Sequence, residues 1–229
     1  MEKKYKLTDE SVIVNGKTLH RIEALRDFGD VKKGNKGGFI EKENNLSQED
    51  NCWVYGNARV YDNALVYDNA KVYDYAKVCG NAVVYGNARI YGNAQVCDDA
   101  SIYGNAWVCG DAVVYCDAKV YGNAMVYDNA IIYGYAKVYG KAEVFGNAEI
   151  CGNAEIASNS DYIVFKNWWS SGRHFTWTKS NNMWKVGCFY GTGKELIDKA
   201  YKDSEKSGRE YEKIVKYVES ILEDNNADV

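Results

Sequence analysis

Aliphatic residues recur at every sixth position from Val54 to Ile156. The spacing divides residues 54–161 into eighteen consecutive hexads without a gap. The first is Val54-Tyr55-Gly56-Asn57-Ala58-Arg59, and the last is Ile156-Ala157-Ser158-Asn159-Ser160-Asp161. Position one is always Val or Ile, β-branched residues that suit a strand. Position five is Ala in every hexad but the last, which has Ser160. A large and a small inward residue therefore alternate, as a narrow interior requires. Positions three and four are mostly Gly or Asp, then Asn or Asp. Such residues tolerate left-handed backbone angles and turn the chain. A short strand plus a corner, repeated, predicts a polygonal solenoid in which each repeat buries its apolar side against its neighbours.

The flanks follow other patterns. Residues 1–53 lead into the repeats. Within them, residues 12–19 predict a hairpin around an Asn15-Gly16 turn. A solenoid needs such a terminal unit to cover its first coil and blunt the open edge. Residues 162–229 lose the six-residue period. Residues 162–165, 173–179 and 184–190 read as three strands separated by Ser, Gly and Asn turns. Thr192-Gly193-Lys194-Glu195 fits a capping box opening one helix, and Ser207-Gly208-Arg209-Glu210 fits another. In the second helix Ile214, Val215, Val218, Ile221 and Leu222 form one apolar stripe. The expectation is a small α+β domain of three strands under two helices, which caps the last coil or presents a surface to a partner.

The Tyr-Gly-Asn-Ala hexads resemble the left-handed parallel β-helix of hexapeptide-repeat acyltransferases. The resemblance implies three hexads per coil, hence about six coils of triangular section, and homotrimers. Handedness comes from the resemblance alone. The leading segment Asp27-Phe28-Gly29-Asp30-Val31-Lys32-Lys33-Gly34, followed by Gly37-Gly38, Leu46-Ser47-Gln48 and Cys52-Trp53, resembles the YdcK-type hexapeptide family. Leading segments of this kind also resemble those of phage and prophage proteins.

For activity, the resemblance implies acyl transfer from acetyl-CoA, with a coil histidine near a subunit interface as general base. The hexads contain no histidine. The chain has two, His20 and His174. His174 stands among Trp168, Trp169, Arg173, Trp177 and Trp184 and is the one catalytic candidate; a packed or surface histidine is its alternative. Hexapeptide-repeat enzymes also tend to carry a loop that interrupts the coils, and none interrupts these hexads. The expectation shifts to a non-catalytic, oligomeric binding or scaffold protein that needs no cofactor. It would capture a host protein or an anionic small molecule, and an anti-defence role would fit a phage source.

Three hexads per coil sort the outward residues into columns. Tyr67, Tyr85, Tyr103, Tyr121 and Tyr139 form an unbroken column at position two. It reads either as side-chain stacking between coils or as an oligomer interface. Position six holds Arg59, Lys71, Lys77 and Arg89 near the start, and Glu143, Glu149, Glu155 and Asp161 near the end. Arg59 and Lys77 fall one coil apart on one face, and Lys71 and Arg89 on another. Like charges opposed across strands repel, and an anion between them would relieve the repulsion. Screening by water is the alternative.

Composition changes little in this picture. A net charge of −4 gives no electrostatic case for nucleic acid. No segment has the apolar length of a membrane span, and the start of the chain lacks the apolar run of a signal peptide. The seven cysteines mostly stand where other hexads have Tyr, without metal-type spacing, and suit a reducing cytoplasm. Cys79 and Cys97 become coil neighbours. Gly191-Thr192-Gly193-Lys194 lacks the full spacing of a phosphate loop.

Overall fold

The computed structural model describes residues 3–227. The chain divides into two compact units, one ending at Asp161 and the other beginning at Tyr162.

The first unit is a parallel β-solenoid of about seven turns. Each hexad contributes one two-residue strand made of positions six and one, such as Arg59–Val60 and Arg89–Ile90. Strands eighteen residues apart pair in parallel, so three hexads close one coil. Position one and the alanine of position five are buried throughout the hexads. Position three has φ between +56° and +72° in every hexad from the first to the seventeenth. That is why Gly and Asp dominate there. Position four stays out of the left-handed region, so its asparagines have another purpose.

Successive coils are held by two kinds of bond. The backbone N–H groups of positions two, four and six donate to carbonyls of the following coil. Tyr85 donates to Ile102 at 3.0 Å, Asn87 to Gly104 at 2.7 Å and Arg89 to Ala106 at 3.0 Å. Side chains add a second ladder. Asn87 Nδ2 donates to Asn105 Oδ1 at 3.1 Å, and Asn105 Nδ2 to Asn123 Oδ1 at 3.1 Å. Where position three is Asp, its carboxylate accepts the corner N–H one coil on. Asp68 takes that of Gly86, and Asp74 that of Gly92, each at 3.0 Å. Gly or Asp is therefore a choice between an unadorned corner and one bonded along the axis.

The solenoid begins earlier than the hexads do. Six coils are expected from the repeat, and a further partial turn precedes them. The strand β3 (Lys36–Ile40) pairs in parallel with Arg59–Val60, and Leu46 bridges to Val66. Neither piece carries the Tyr-Gly-Asn-Ala signature. They join because their apolar residues meet the open end of the first full coil. Gly37 and Gly38 pass so close to it that a Cβ on either would sit 2.6 Å from a backbone carbonyl, of Val54 or Ala58.

The predicted hairpin is present as β1 (Tyr5–Val14) and β2 (Lys17–Ala24). Asn15 and Gly16 both have positive φ, the requirement of a type I′ turn. β2 pairs antiparallel with β3, so the hairpin prolongs one solenoid face into a nine-stranded sheet. Trp53 is buried against the edges of Tyr5 and Phe28, at 6.0 and 5.3 Å between ring centres. Lys4 is wholly buried here, and its ammonium donates to the Glu49 and Cys52 carbonyls at 2.8 and 3.0 Å. Burial lowers the pKa of Lys4.

The second unit is a four-stranded antiparallel meander with two helices. The expected third strand is two: Met183–Val186 and Phe189–Gly191. A two-residue loop separates them, opened by Gly187 at φ +54°. The apolar run from Trp184 to Tyr190 conceals that reversal. Helix α1 (Gly193–Asp203) opens on the predicted box: Thr192 Oγ1 accepts from the Glu195 N–H, and a Glu195 carboxylate oxygen accepts from the Thr192 N–H at 2.8 Å. Helix α2 (Glu205–Ala227) starts before the box expected at Ser207. Ser204 caps it instead, its Oγ accepting from the Ser207 N–H at 3.1 Å, while its own N–H closes α1 on Ala200. One residue serves both helix ends. The core joins Phe175, Trp177 and Trp184 to Leu196, Tyr211, Val215 and Val218.

Among the described residues no helix is long and apolar enough to cross a membrane.

Candidate functional site

The four basic residues singled out by the hexads lie on two faces, as the column arithmetic requires. Arg59 pairs in register with Lys77, and Lys71 with Arg89. The structure does not unite the two pairs into one site.

On the first face Arg59 stands between Phe39 and Lys77. Its Nε is shielded from solvent and has no hydrogen-bond partner among the described residues. The Arg21 guanidinium lies 4.2 Å over the Phe39 ring, and its Nε is paired with Glu10 at 2.6 Å.

On the second face the pair is asymmetric. Lys71 is already neutralised, with its Nζ 2.5 Å from Asp30, a residue of the leading segment. The Tyr55 hydroxyl donates to both oxygens of the same carboxylate at 2.9 and 3.0 Å. Burial pushes the Asp30 carboxyl up, but the bonds from Lys71 and Tyr55 outweigh it and hold the group below the ordinary carboxylate range. Arg89 has no carboxylate partner among the described residues. It is exposed, and its guanidinium lies 5.4 Å over the Trp107 ring, a cation–π contact.

Arg89 lines a surface pocket of about 230 Å³ with Tyr73, Asp74, Tyr91 and Trp107. Tyr91 meets Trp107 edge-on at 6.2 Å. One Asp74 oxygen accepts the Gly92 N–H. The pocket thus offers an unpaired guanidinium beside aromatic rings on a rigid sheet, which suits an anion carrying a flat body. Trp107 escapes a reading built on like-charge pairs. Its signal is positional: it stands eighteen residues after Arg89, in the outward strand position where Trp occurs in no other hexad.

The tyrosine column is continuous. Tyr67, Tyr85, Tyr103, Tyr121 and Tyr139 stack face to face at 4.9–5.2 Å, with planes within 12°. The rings are half-buried by one another. The most exposed aromatics of the solenoid are instead Tyr75 and Tyr135, at position four. The acidic end of position six is partly compensated, since Lys137 pairs with Glu155 at 2.8 Å.

On the first face, just past the strands Lys77–Val78 and Gln95–Val96, the Cys79 and Cys97 sulfurs lie 2.6 Å apart as free thiols, with Tyr61 buried beside them. The two thiols are hydrogen-bonded to each other. The bond to Cys97 brings Cys79 down to about 7, against the opposing effect of burial, while Cys97 is raised. Two results follow. Alkylation of Cys79 by iodoacetamide should rise as pH passes through about 7, because the thiolate is the nucleophile. Mild oxidation with diamide should remove two of the chain's seven thiols, since strand spacing of about 4.8 Å lies within disulfide reach. A thiol count that stays at seven would show that the two sulfurs are held apart.

In the second unit His174 is half-buried at the start of its strand, in register with Lys166. Of the tryptophans around it, Trp169, Trp177 and Trp184 belong to the core, and Trp168 is exposed. His174 does not line the unit's main cavity, whereas the adjacent Arg173 does.

The solenoid also matches known proteins. Residues 54–68, 58–74, 76–92, 94–110 and 118–134 match the family described as YdcK β-solenoid repeat. Over 37 residues the chain is 51% identical to "Uncharacterized acetyltransferase YdcK" of Escherichia coli (strain K12). That stretch covers 16% of this chain and 11% of that relative's length.

Proposed function

We propose that this YdcK-type β-solenoid repeat protein is a non-catalytic binding protein whose solenoid captures an anionic small molecule against Arg89. One observation carries the reading: of two stacked cations, Lys71 is neutralised by Asp30, while Arg89 remains unpaired over Trp107. A guanidinium held at an aromatic face is a strong partner for a planar anion. The uninterrupted hexads and their lack of histidine support binding without turnover. Arg59 and Lys77 form a second, weaker candidate, because the Arg59 Nε lacks a partner. Self-association, with a homotrimer as the expected form, would use the tyrosine column, and capture of a host protein would use the same exposed faces.

Native mass spectrometry of freshly purified protein tests this directly. The expected result is a trimer carrying extra mass that is lost in Arg89→Glu with no change in melting temperature. The same extra mass on the variant would reject the site, and a bare wild-type protein would reject capture. A bare monomer would also reject the tyrosine interface.

The relative's name, an acetyltransferase, supports a second reading in which the chain transfers an acyl group from acetyl-CoA. Turnover of acetyl-CoA that is lost in His174→Ala would favour it.

A further inference from the structure

The second unit holds a cavity of about 620 Å³ between the Asn167–Arg173 loop, the turn at Gly187 and helices α1 and α2. That is the size of a small-molecule site. Its chemistry is graded. Phe189 and Leu196 supply apolar wall, and Arg173 and Lys199 supply positive charge. Asp203 also lines it, so these three leave one net positive charge. Neither Arg173 nor Lys199 has a carboxylate partner among the described residues. The Arg173 guanidinium rests against the turn, 3.1 Å from where a Cβ on Gly187 would lie.

The cavity also contains an unused donor. Tyr211 lines it and is more than nine-tenths buried. Its oxygen accepts from Asn167 Nδ2 at 3.1 Å, and Asn167 is itself buried. The phenol proton has no acceptor among the described residues. A buried hydroxyl proton without a partner is costly, so such groups are normally satisfied by something. Burial raises the Tyr211 pKa, which keeps the phenol protonated and able to donate. The other side of Asn167 is occupied, its Oδ1 accepting from the Ser170 N–H and hydroxyl at 2.9 and 3.1 Å. The network is therefore oriented, and among the described residues it leaves the phenol proton and one Asn167 amide proton unused.

We propose that the second unit binds a small amphipathic anion, a carboxylate or phosphate ester on an aromatic or alkyl body. The acid group accepts from Tyr211 and Arg173, and the body lies against Phe189 and Leu196. This site is independent of the Arg89 pocket. The Asn167–Tyr211 pair was not visible in the sequence, because the two residues are 44 apart and belong to a loop and a helix.

The test is calorimetric titration of the whole chain with phenyl phosphate, benzoate, inorganic phosphate and benzyl alcohol. The expected result is saturable binding of phenyl phosphate or benzoate, with whichever binds more tightly naming the acid group. Inorganic phosphate and benzyl alcohol should bind at least roughly tenfold more weakly, because each lacks one half of the recognition. Arg173→Gln, an exposed position, should weaken binding roughly tenfold without changing the fold. Tyr211→Phe should weaken it, and Lys119→Gln, an exposed solenoid position that lines neither pocket, should leave it unchanged. Cys188 is exposed and lines the cavity, so bound ligand should slow its alkylation. No binding of either aromatic anion at millimolar concentration would overturn the proposal. So would binding that Arg173→Gln and Tyr211→Phe both leave intact, or saturation without protection of Cys188.

Discussion

Ala106→Leu should destabilise the solenoid by about 3 kcal/mol, the upper part of the range for overpacking a close-packed interior. Ala106 is wholly buried at position five, and its carbonyl accepts the Arg89 N–H at 3.0 Å. The tube has no free wall to yield. Each coil is pinned to its neighbours by backbone bonds on all three faces, so three added carbons must either enter off-rotamer or lengthen that ladder. Either response spreads to adjacent coils, because solenoid stability is a chain of nearest-neighbour terms. Urea unfolding followed by circular dichroism measures the loss. Met125→Leu, at an outward position, is the control and should stay within about 0.5 kcal/mol. If Ala106→Leu behaves like the control, the interior has slack, and the near-invariance of alanine at position five needs another reason.

Trp184→Ala should unfold the second unit. Trp184 is 1% exposed, with Phe165 and Phe175 at 5.8 and 6.2 Å between ring centres. Removing a buried tryptophan costs about 3–5 kcal/mol. A unit of this size has about that much stability in total. Limited proteolysis should trim the variant to a fragment ending near Asp161, and the anion binding that depends on Arg173 and Tyr211 should be lost. The solenoid has a separate core and should keep its urea midpoint. A variant that resists proteolysis like the wild type would mean that the small core tolerates the cavity. A solenoid midpoint that falls with it would mean that the two units fold as one.

Much of the fold is legible in particular residues. Val or Ile at position one and Ala at position five announce a tube interior, and the structure buries both. Asn15-Gly16 announces a type I′ turn, and Thr192 with Glu195 announces a helix start; both form as written. Ser207 matches a capping pattern but lies inside a helix begun at Ser204, because the caps of α1 and α2 share one residue. Trp184 to Tyr190 reads as one strand because a two-residue reversal leaves almost no mark on hydrophobic pattern.

The sites were less legible than the fold. Column arithmetic correctly placed Lys71 against Arg89 and Arg59 against Lys77. It treated the members of each pair as equivalent. Asp30, 41 residues before Lys71, removes that equivalence by neutralising one cation, and Trp107 lends the other an aromatic face.

The sequence by itself determined the period, the interior, the corners and the change of unit near Asp161. All of these arise from conformational preference and from apolar spacing within a few residues, which local sequence encodes directly. Tertiary structure alone decided that Phe39–Ile40 and Leu46 begin the first turn. It also decided that Arg89 rather than Lys71 stays unpaired, and that Asn167 and Tyr211 meet in a cavity. Those outcomes depend on where distant segments return in space. A charge or a hydroxyl has its final character only once burial and its partners are known.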